Sequence, residues 1–317
     1  MSEAVVEVRR VSKSFDRRPV LRGVSFSLKR GEMVALIGAS GSGKSTLVRA
    51  IAGLVAIDKS DTADDLDAAA GEIILFGQPM QRRGRITRTA KRLRVRTGVV
   101  FQQFNLVPRL SVLTNVCLGL LGQMSFFHGT IGRFTTADKL RAMQALARVG
   151  IADHALKRGA DLSGGQQQRA AIARTLVQRA ELLIADEPIA SLDPGAARRV
   201  MDILADLNRR DRITVLVSLH QVEYALRYCP RTVALRSGEV VYDGPSSELT
   251  PALLTSIYGA DNEDLFVPSP EPVGVMHAQT PRAAMPGPRL GVAGFAPDTV
   301  PAAGHTWAAS DAERLRA

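Results

Sequence analysis

Cysteine is nearly absent: Cys117 and Cys229 are the two thiols in 317 residues. That excludes a disulfide framework and a cysteine metal cluster, and it suits reduced thiols in a cytosolic protein. Long apolar runs are missing as well. The longest, such as 33–37 and 182–185, are too short to cross a bilayer. If the chain works at a membrane, other chains do the crossing. The opening stretch, MSEAVVEVRRVSKSF, has charges where an apolar leader would stand, so no signal peptide is expected. There is also no internal repeat. What is present is an apolar content of 45%, ordinary for a chain that buries a full core. The length allows one large domain, or one domain with an appendage. A formal net charge of +10 calls for a site or partner of opposite sign. Nucleic acid, anionic lipid and nucleotide all qualify, and charge alone does not choose among them.

The organisation follows from periodicity and punctuation. Short strands are expected over 5–8 and 25–28, then a buried strand over 33–37 that runs into a glycine loop. A helix over 45–52 follows the loop, with Gly53 near its end. Six acidic residues between Asp58 and Glu72 mark a solvated loop, ahead of a strand over 72–76. Residues 82–96 hold eight Lys or Arg. Further strands are expected over 99–101, 182–185 and 214–218, and helices over 111–122, 136–149, 164–179, 194–210 and 222–228. Ser237-Gly238 between 232–236 and 239–242 is a hairpin signal. After about residue 267 the composition shifts. Eight of the sixteen prolines fall between Pro268 and Pro301, among Ala and Gly, and no periodicity survives. The domain is therefore placed at 4–260. Residues 261–317 are expected to form a largely disordered Pro/Ala/Gly-rich extension, with a weak helical signal at 310–316.

Chemistry concentrates in a few segments. Gly38-Ala39-Ser40-Gly41-Ser42-Gly43-Lys44-Ser45-Thr46 fits G-x-x-x-x-G-K-[ST] in full, between a strand and a helix. The glycines let backbone N–H groups converge on phosphate oxygens, and the helix N-terminus adds positive potential. Lys44 is expected to reach the β- and γ-phosphates, and Ser45 to hold Mg²⁺. At the end of the apolar run 182–185 stand Asp186 and Glu187. Asp186 is expected to bind Mg²⁺ directly or through water, and Glu187 to polarise an attacking water. In LSGGQQQR, from Leu162 to Arg169, Ser163 is a candidate N-cap, and Gly164 and Gly165 expose the first N–H groups of a helix. That makes a second anion site with no evident partner in its own chain. His220 follows a buried strand as Asp186 does, so both can face one crevice edge. Gln102 likewise follows a strand. Phe15 has two open readings, core packing or stacking on a base.

These motifs, in this order, resemble the nucleotide-binding subunits of ATP-binding cassette (ABC) transporters over residues 4 to about 260. The resemblance implies an α/β fold: a P-loop NTPase core with a mostly parallel sheet flanked by helices, an N-terminal antiparallel β subdomain and a helical signature subdomain. It implies that Phe15 stacks on adenine, that residues 38–46 are Walker A, and that Gln102 lies near Mg²⁺ and the attacking water. Asp186 and Glu187 become Walker B and the catalytic carboxylate, and His220 the switch that senses the γ-phosphate. Two such domains pair head to tail in this family. Ser163, Gly164, Gly165 and Gln166 of the signature, with Asp193 of the segment Ser191-Leu192-Asp193, would then face the ATP of a second copy. The other implied partners are a membrane permease and, indirectly, a solute-binding protein, with the chain peripheral on the cytoplasmic face of a bacterial membrane.

Longer stretches narrow the resemblance. FQQFNLVPRLSVLTNV (101–116) is similar to bacterial importers. IADEPIASLDP (184–194), SLHQVEYALRYCPRTVALRSGEVVYDG (218–244) and Asp58-Lys59-Ser60 resemble the ATPase of phosphonate importers. No residue of this chain is expected to touch the phosphonate. Two features depart from the pattern: the acidic loop over 61–70 is long, and the Pro-rich tail has no counterpart. Two other readings stay open. One is an importer for an amino acid, a metal or phosphate. The other is a soluble ATPase acting on nucleic acid or a multienzyme complex, supported by the basic run 82–96. A repair ATPase needs a long coiled coil between the glycine segments, and no sustained heptad lies there. A translation-type ATPase needs two cassettes, and one phosphate loop is present. Nucleic acid is therefore the less favoured partner.

Overall fold

The computed structural model describes residues 4–59, 71–124 and 134–259. The expectations for the acidic loop 61–70 and for the tail after 260 lie outside the described residues. Two sheets organise what is described. The first is antiparallel, in the order β2-β1-β4-β5-β6. Its strands are β1 (Ala4–Phe15), β2 (Arg18–Lys29), β4 (Glu72–Leu75), β5 (Gln78–Arg82) and β6 (Arg85–Ile86). β1 and β2 are twelve residues each, far longer than the short strands expected. Alternation breaks at Arg9 and Arg10, which hides the continuity in the sequence. The strand survives because Arg10 takes φ 46° at a register shift between Val8 and Val11, a bulge that resumes the ladder on the far side. Asp16 and Arg17, both at positive φ, close the hairpin, so Phe15 ends β1.

The second sheet has the order β11-β10-β3-β9-β8-β7. It comprises β3 (Met33–Ile37), β7 (Thr97–Val100), β8 (Leu182–Asp186), β9 (Thr214–Ser218), β10 (Arg231–Arg236) and β11 (Glu239–Pro245). From β10 through β7 every pairing is parallel, and β11 is an antiparallel edge. β3, β8 and β9 are buried at every position, as a parallel sheet covered on both faces requires. The β10–β11 turn has Ser237 at φ 49° and Gly238 at φ 84°, the two positive values of a tight primed hairpin.

The helices are α1 (Lys44–Ile51), α2 (Ala90–Arg96), α3 (Val112–Cys117), α4 (Thr136–Arg148), α5 (Gly164–Val177), α6 (Pro194–Asp211), α7 (Val222–Tyr228) and α8 (Pro251–Tyr258). α3, α4 and α5 pack on one another as a helical unit. α8 was not anticipated, although Thr250 caps it and Pro251 occupies its first turn. No helix among the described residues is long and apolar enough to cross a membrane. The arrangement matters for what sits at the C-terminal ends of the parallel strands. β3 empties into the phosphate loop, β8 ends at Asp186, β9 ends at Ser218, and β7 leads to Gln102. In open α/β sheets that edge is where ligands bind.

Candidate nucleotide site

The phosphate loop is held in shape by close backbone approach. At Gly38, φ is 148°, and a Cβ there would lie 2.2 Å from the Leu235 carbonyl oxygen. At Gly43, φ is 103°, and a Cβ would meet the Val20 carbonyl oxygen at 2.8 Å. Both positions need glycine, for space and for conformation. Gly43 caps α1 without a side chain, so the first N–H groups of the helix stay open toward the loop. Lys44 is buried and folds back over the loop. Its Nζ donates to the carbonyl oxygens of Gly38 at 2.7 Å and Ala39 at 3.1 Å. Burial pushes the ammonium below its ordinary pKa, and Glu187 and then Asp186 pull it back up. A charge held there by two carbonyls and two nearby carboxylates suits an anion with several negative oxygens.

Glu187 and His220 complete the wall, and Asp186 is bonded to Ser45 of the lining. Asp186 is buried, and its Oδ1 accepts from Ser45 Oγ at 3.1 Å and from Ser218 Oγ at 2.9 Å. Ser218 Oγ in turn accepts the Glu187 backbone N–H at 2.8 Å. That bond helps hold Glu187 at φ 50°, a left-handed conformation that costs a non-glycine residue on the order of 1 kcal/mol. The turn aims the Glu187 side chain at His220, whose Nε2 donates to Oε1 at 2.6 Å. One cleft of about 210 Å³ is lined by residues 40–46, Glu187, His220 and Val20. Groups that lie far apart in the sequence therefore meet at one edge: glycine N–H groups, a lysine, hydroxyls, two carboxylates and an imidazole.

A family profile described as ABC transporter matches residues 21–190, more than half of the chain. The chain belongs to the ABC transporter family. It is similar to the phosphonates import ATP-binding protein PhnC 1 of Pseudomonas aeruginosa, at 53% identity over 82% of this chain and 91% of that protein. It is also similar to the phosphonates import ATP-binding protein of Stutzerimonas stutzeri, at 54% identity over 81% of this chain and 91% of that protein. Among solved structures it resembles a dimeric ATP-binding cassette in a post-hydrolysis state bound to ADP and Pi. That likeness has a TM-score of 0.62 and 31% identity, over 76% of this chain and 98% of the other.

Not every expected residue of this ABC cassette joins the cleft. Phe15 stands at the tip of the β1–β2 hairpin, 46% exposed, with Lys13 Nζ 5.0 Å above its ring. Exposure removes the core-packing reading. Gln102 is exposed in the bend after β7 and does not line the cleft. The signature residues are elsewhere, at the start of α5. There Ser163 Oγ accepts the Gln166 N–H at 3.4 Å, while Gln166 Oε1 accepts the Ser163 N–H at 2.9 Å, a reciprocal cap. Gln166 Nε2 donates to His154 Nε2 at 2.7 Å, so this amide is used within its own chain. The signature glycines lie against the segment that carries Asp193. A Cβ on Gly164 would reach Leu192 at 3.3 Å, and one on Gly165 would reach Ala196 at 2.8 Å. Asp193 caps α6, accepting the Ala196 N–H at 2.9 Å, and its carboxyl is pulled below the ordinary range chiefly by that bond. Two segments thirty residues apart in sequence thus form one surface away from the phosphate loop. Ser218 and Val20 are site residues that motif reading passed over. Ser218 carried one faint signal, a hydroxyl ending a buried strand two residues before His220.

Proposed function

We propose that this chain is the ATP-hydrolysing subunit of an ABC importer that powers uptake of phosphonates through a separate membrane permease. The 2.6 Å contact of His220 with Glu187, in the cleft walled by residues 40–46, carries the ATPase part. Identity of 53–54% to phosphonates import ATP-binding proteins over most of the chain carries the solute. Residues 38–46 bind the nucleotide phosphates, with Lys44 on the β- and γ-oxygens, and Phe15 stacks on the adenine. Glu187 accepts a proton from the water that attacks the γ-phosphorus, giving ADP and phosphate from ATP and water. His220 holds the Glu187 carboxylate in place, and Gln102 approaches the same water once the loop after β7 closes on nucleotide.

The Ser45 hydroxyl and Asp186 carboxylate converge within 3.1 Å, an all-oxygen pair suited to Mg²⁺. No cluster of three His, Cys, Asp or Glu among the described residues offers a cage, which fits an ion that takes most of its ligands from phosphate and water. Bound there, Mg²⁺ neutralises charge on the transferring phosphoryl group. Ser163, Gly164, Gly165, Gln166 and Asp193 face the nucleotide of a second copy, so the working unit is a head-to-tail dimer. Their separation from the cleft of their own chain supports this reading, as does the dimeric relative. The dimer is peripheral on the cytoplasmic face, bound to permease subunits and served by a solute-binding protein. Residues 4–260 form the cassette, and 261–317 an extension to it.

The test is reconstitution with the permease and binding protein in vesicles loaded with ATP and Mg²⁺. Uptake of labelled methylphosphonate, blocked by excess unlabelled phosphonate and by Glu187→Gln, is expected. Uptake competed by an amino acid or a metal instead would sink the solute assignment.

A further inference from the structure

α8 ends at Tyr258, which is 6% exposed and seated where two loops of the site turn back to back. Its hydroxyl lies 3.4 Å from the His220 carbonyl oxygen, and the Gly38 backbone N–H acts on the same phenol oxygen. One side chain thus touches the backbone of the residue that opens the phosphate loop and of the residue that grips Glu187. Burial pushes the phenol up to about 12, so it stays protonated and remains a donor across the neutral range. α8 is itself fixed to the site. Arg236 donates to the Ser256 carbonyl oxygen at 2.9 Å, and two residues further on the Gly238 N–H donates to the Ser42 carbonyl oxygen at 3.2 Å. The helix end, the β10–β11 turn and the phosphate loop are therefore one hydrogen-bonded frame. Between α8 and the loop lies a cavity of about 430 Å³, lined by residues 39–42, 236–237 and 255–259. The helix does not press on the loop across that space, so its grip depends on individual side chains.

We propose that Tyr258 is a positioning residue for the His220–Glu187 pair. Its hydroxyl fixes the His220 backbone relative to the phosphate loop, and through the imidazole it fixes the carboxylate that handles the attacking water. The proposal rests on the ATPase reading above. A contact of 3.4 Å between neutral groups is long, so the expected effect is several-fold and not hundredfold.

The experiment compares the full-length wild type, Tyr258→Phe and Tyr258→Leu in steady-state ATPase, nucleotide affinity and thermal unfolding. In Tyr258→Phe, kcat is expected to fall about 3–10-fold, with ATP affinity and Tm nearly unchanged. Tyr258→Leu is expected to lower kcat to a similar extent and Tm as well. In a His220→Ala background, Tyr258→Phe is expected to leave the residual rate unchanged within about twofold, because the group being positioned is gone. An unchanged kcat in Tyr258→Phe, a matching loss of ATP affinity, or a further fall in the His220→Ala background overturns the proposal. Wild-type turnover that Glu187→Gln abolishes carries the ATPase reading independently, so failure of Tyr258→Phe leaves that reading standing.

Discussion

Ser45 and Ser218 donate to the same atom, Oδ1 of Asp186, at 3.1 and 2.9 Å. One comes from the first turn of α1 and the other from the end of β9. The parallel register that pairs Asp186 with Ser218 puts the second hydroxyl beside the carboxylate. Ser218 then does two things with one oxygen, because it also accepts the N–H of Glu187. The Asp186 carboxylate and the turn that aims Glu187 share a single support.

Ser218→Ala is therefore expected to cost more than its size suggests. It removes a donor from buried Asp186 and leaves the Glu187 N–H without its partner, a penalty of about 1–3 kcal/mol. Unfolding should come several degrees earlier by calorimetry. Turnover should fall about 10–100-fold, because the lost support displaces groups that must stay preorganised. A variant with wild-type turnover would refute the supporting role.

Glu187→Gln keeps the size of the side chain and removes its basicity. Nucleotide affinity is expected within about threefold of wild type, while turnover drops by at least about 10²-fold. Phosphate release and equilibrium binding of a fluorescent ATP analogue separate the two effects. Near-normal hydrolysis would remove Glu187 from the chemistry.

Gly165→Ala tests the surface shared by the signature and the segment around Asp193. The added methyl would sit 2.8 Å from Ala196 Cβ, so the start of α5 or of α6 must shift. Overpacking of this kind costs about 1–3 kcal/mol, set against the roughly 1 kcal/mol that alanine gains over glycine in a helix. Stability should change little, but the paired surface should lose its fit to a second copy. In a Glu187→Gln background, light scattering is expected to show an ATP-dependent dimer for Gly165 and a monomer for Ala. An unaltered dimer would show that this surface is not the interface.

What was legible in the sequence depended on whether a residue's local neighbours reveal its job. The loop at 38–46 could be read because glycines between a strand and a helix mark a turn that needs positive φ, which Gly38, Gly41 and Gly43 take. Ser237-Gly238 could be read because a tight hairpin demands positive φ at both places. The length of β1 could not, since its middle is polar and only pairing with β2 and β4 sustains it. Ser218 was barely legible and Tyr258 not at all, for a related reason. Their partners, Asp186 and His220, lie 32 and 38 residues away, and nothing local marks a serine or a tyrosine as facing them. Phe15 was legible as a candidate but not as exposed, because exposure depends on a hairpin tip that the pattern did not place.

The two cysteines give a prediction with a definite sign. Both are buried, and burial raises Cys117 to about 11 and Cys229 to about 12, from an ordinary 9.0. A raised thiol pKa means less thiolate at any pH below it, and the thiolate is the reactive form. At pH 8 an ordinary thiol is roughly 10% ionised, whereas pKa values near 11 and 12 leave about one in a thousand and one in ten thousand. Native protein should therefore resist iodoacetamide at pH 8 at both positions, with Cys229 the slower. In urea both should label at the rate of a free thiol, and mass spectrometry after timed quenching distinguishes the cases. Cys117 ends α3 in the helical unit and Cys229 caps the end of α7, and neither lines the cleft. Fast native alkylation at Cys117, which is 1% exposed, would mean that α3 opens readily.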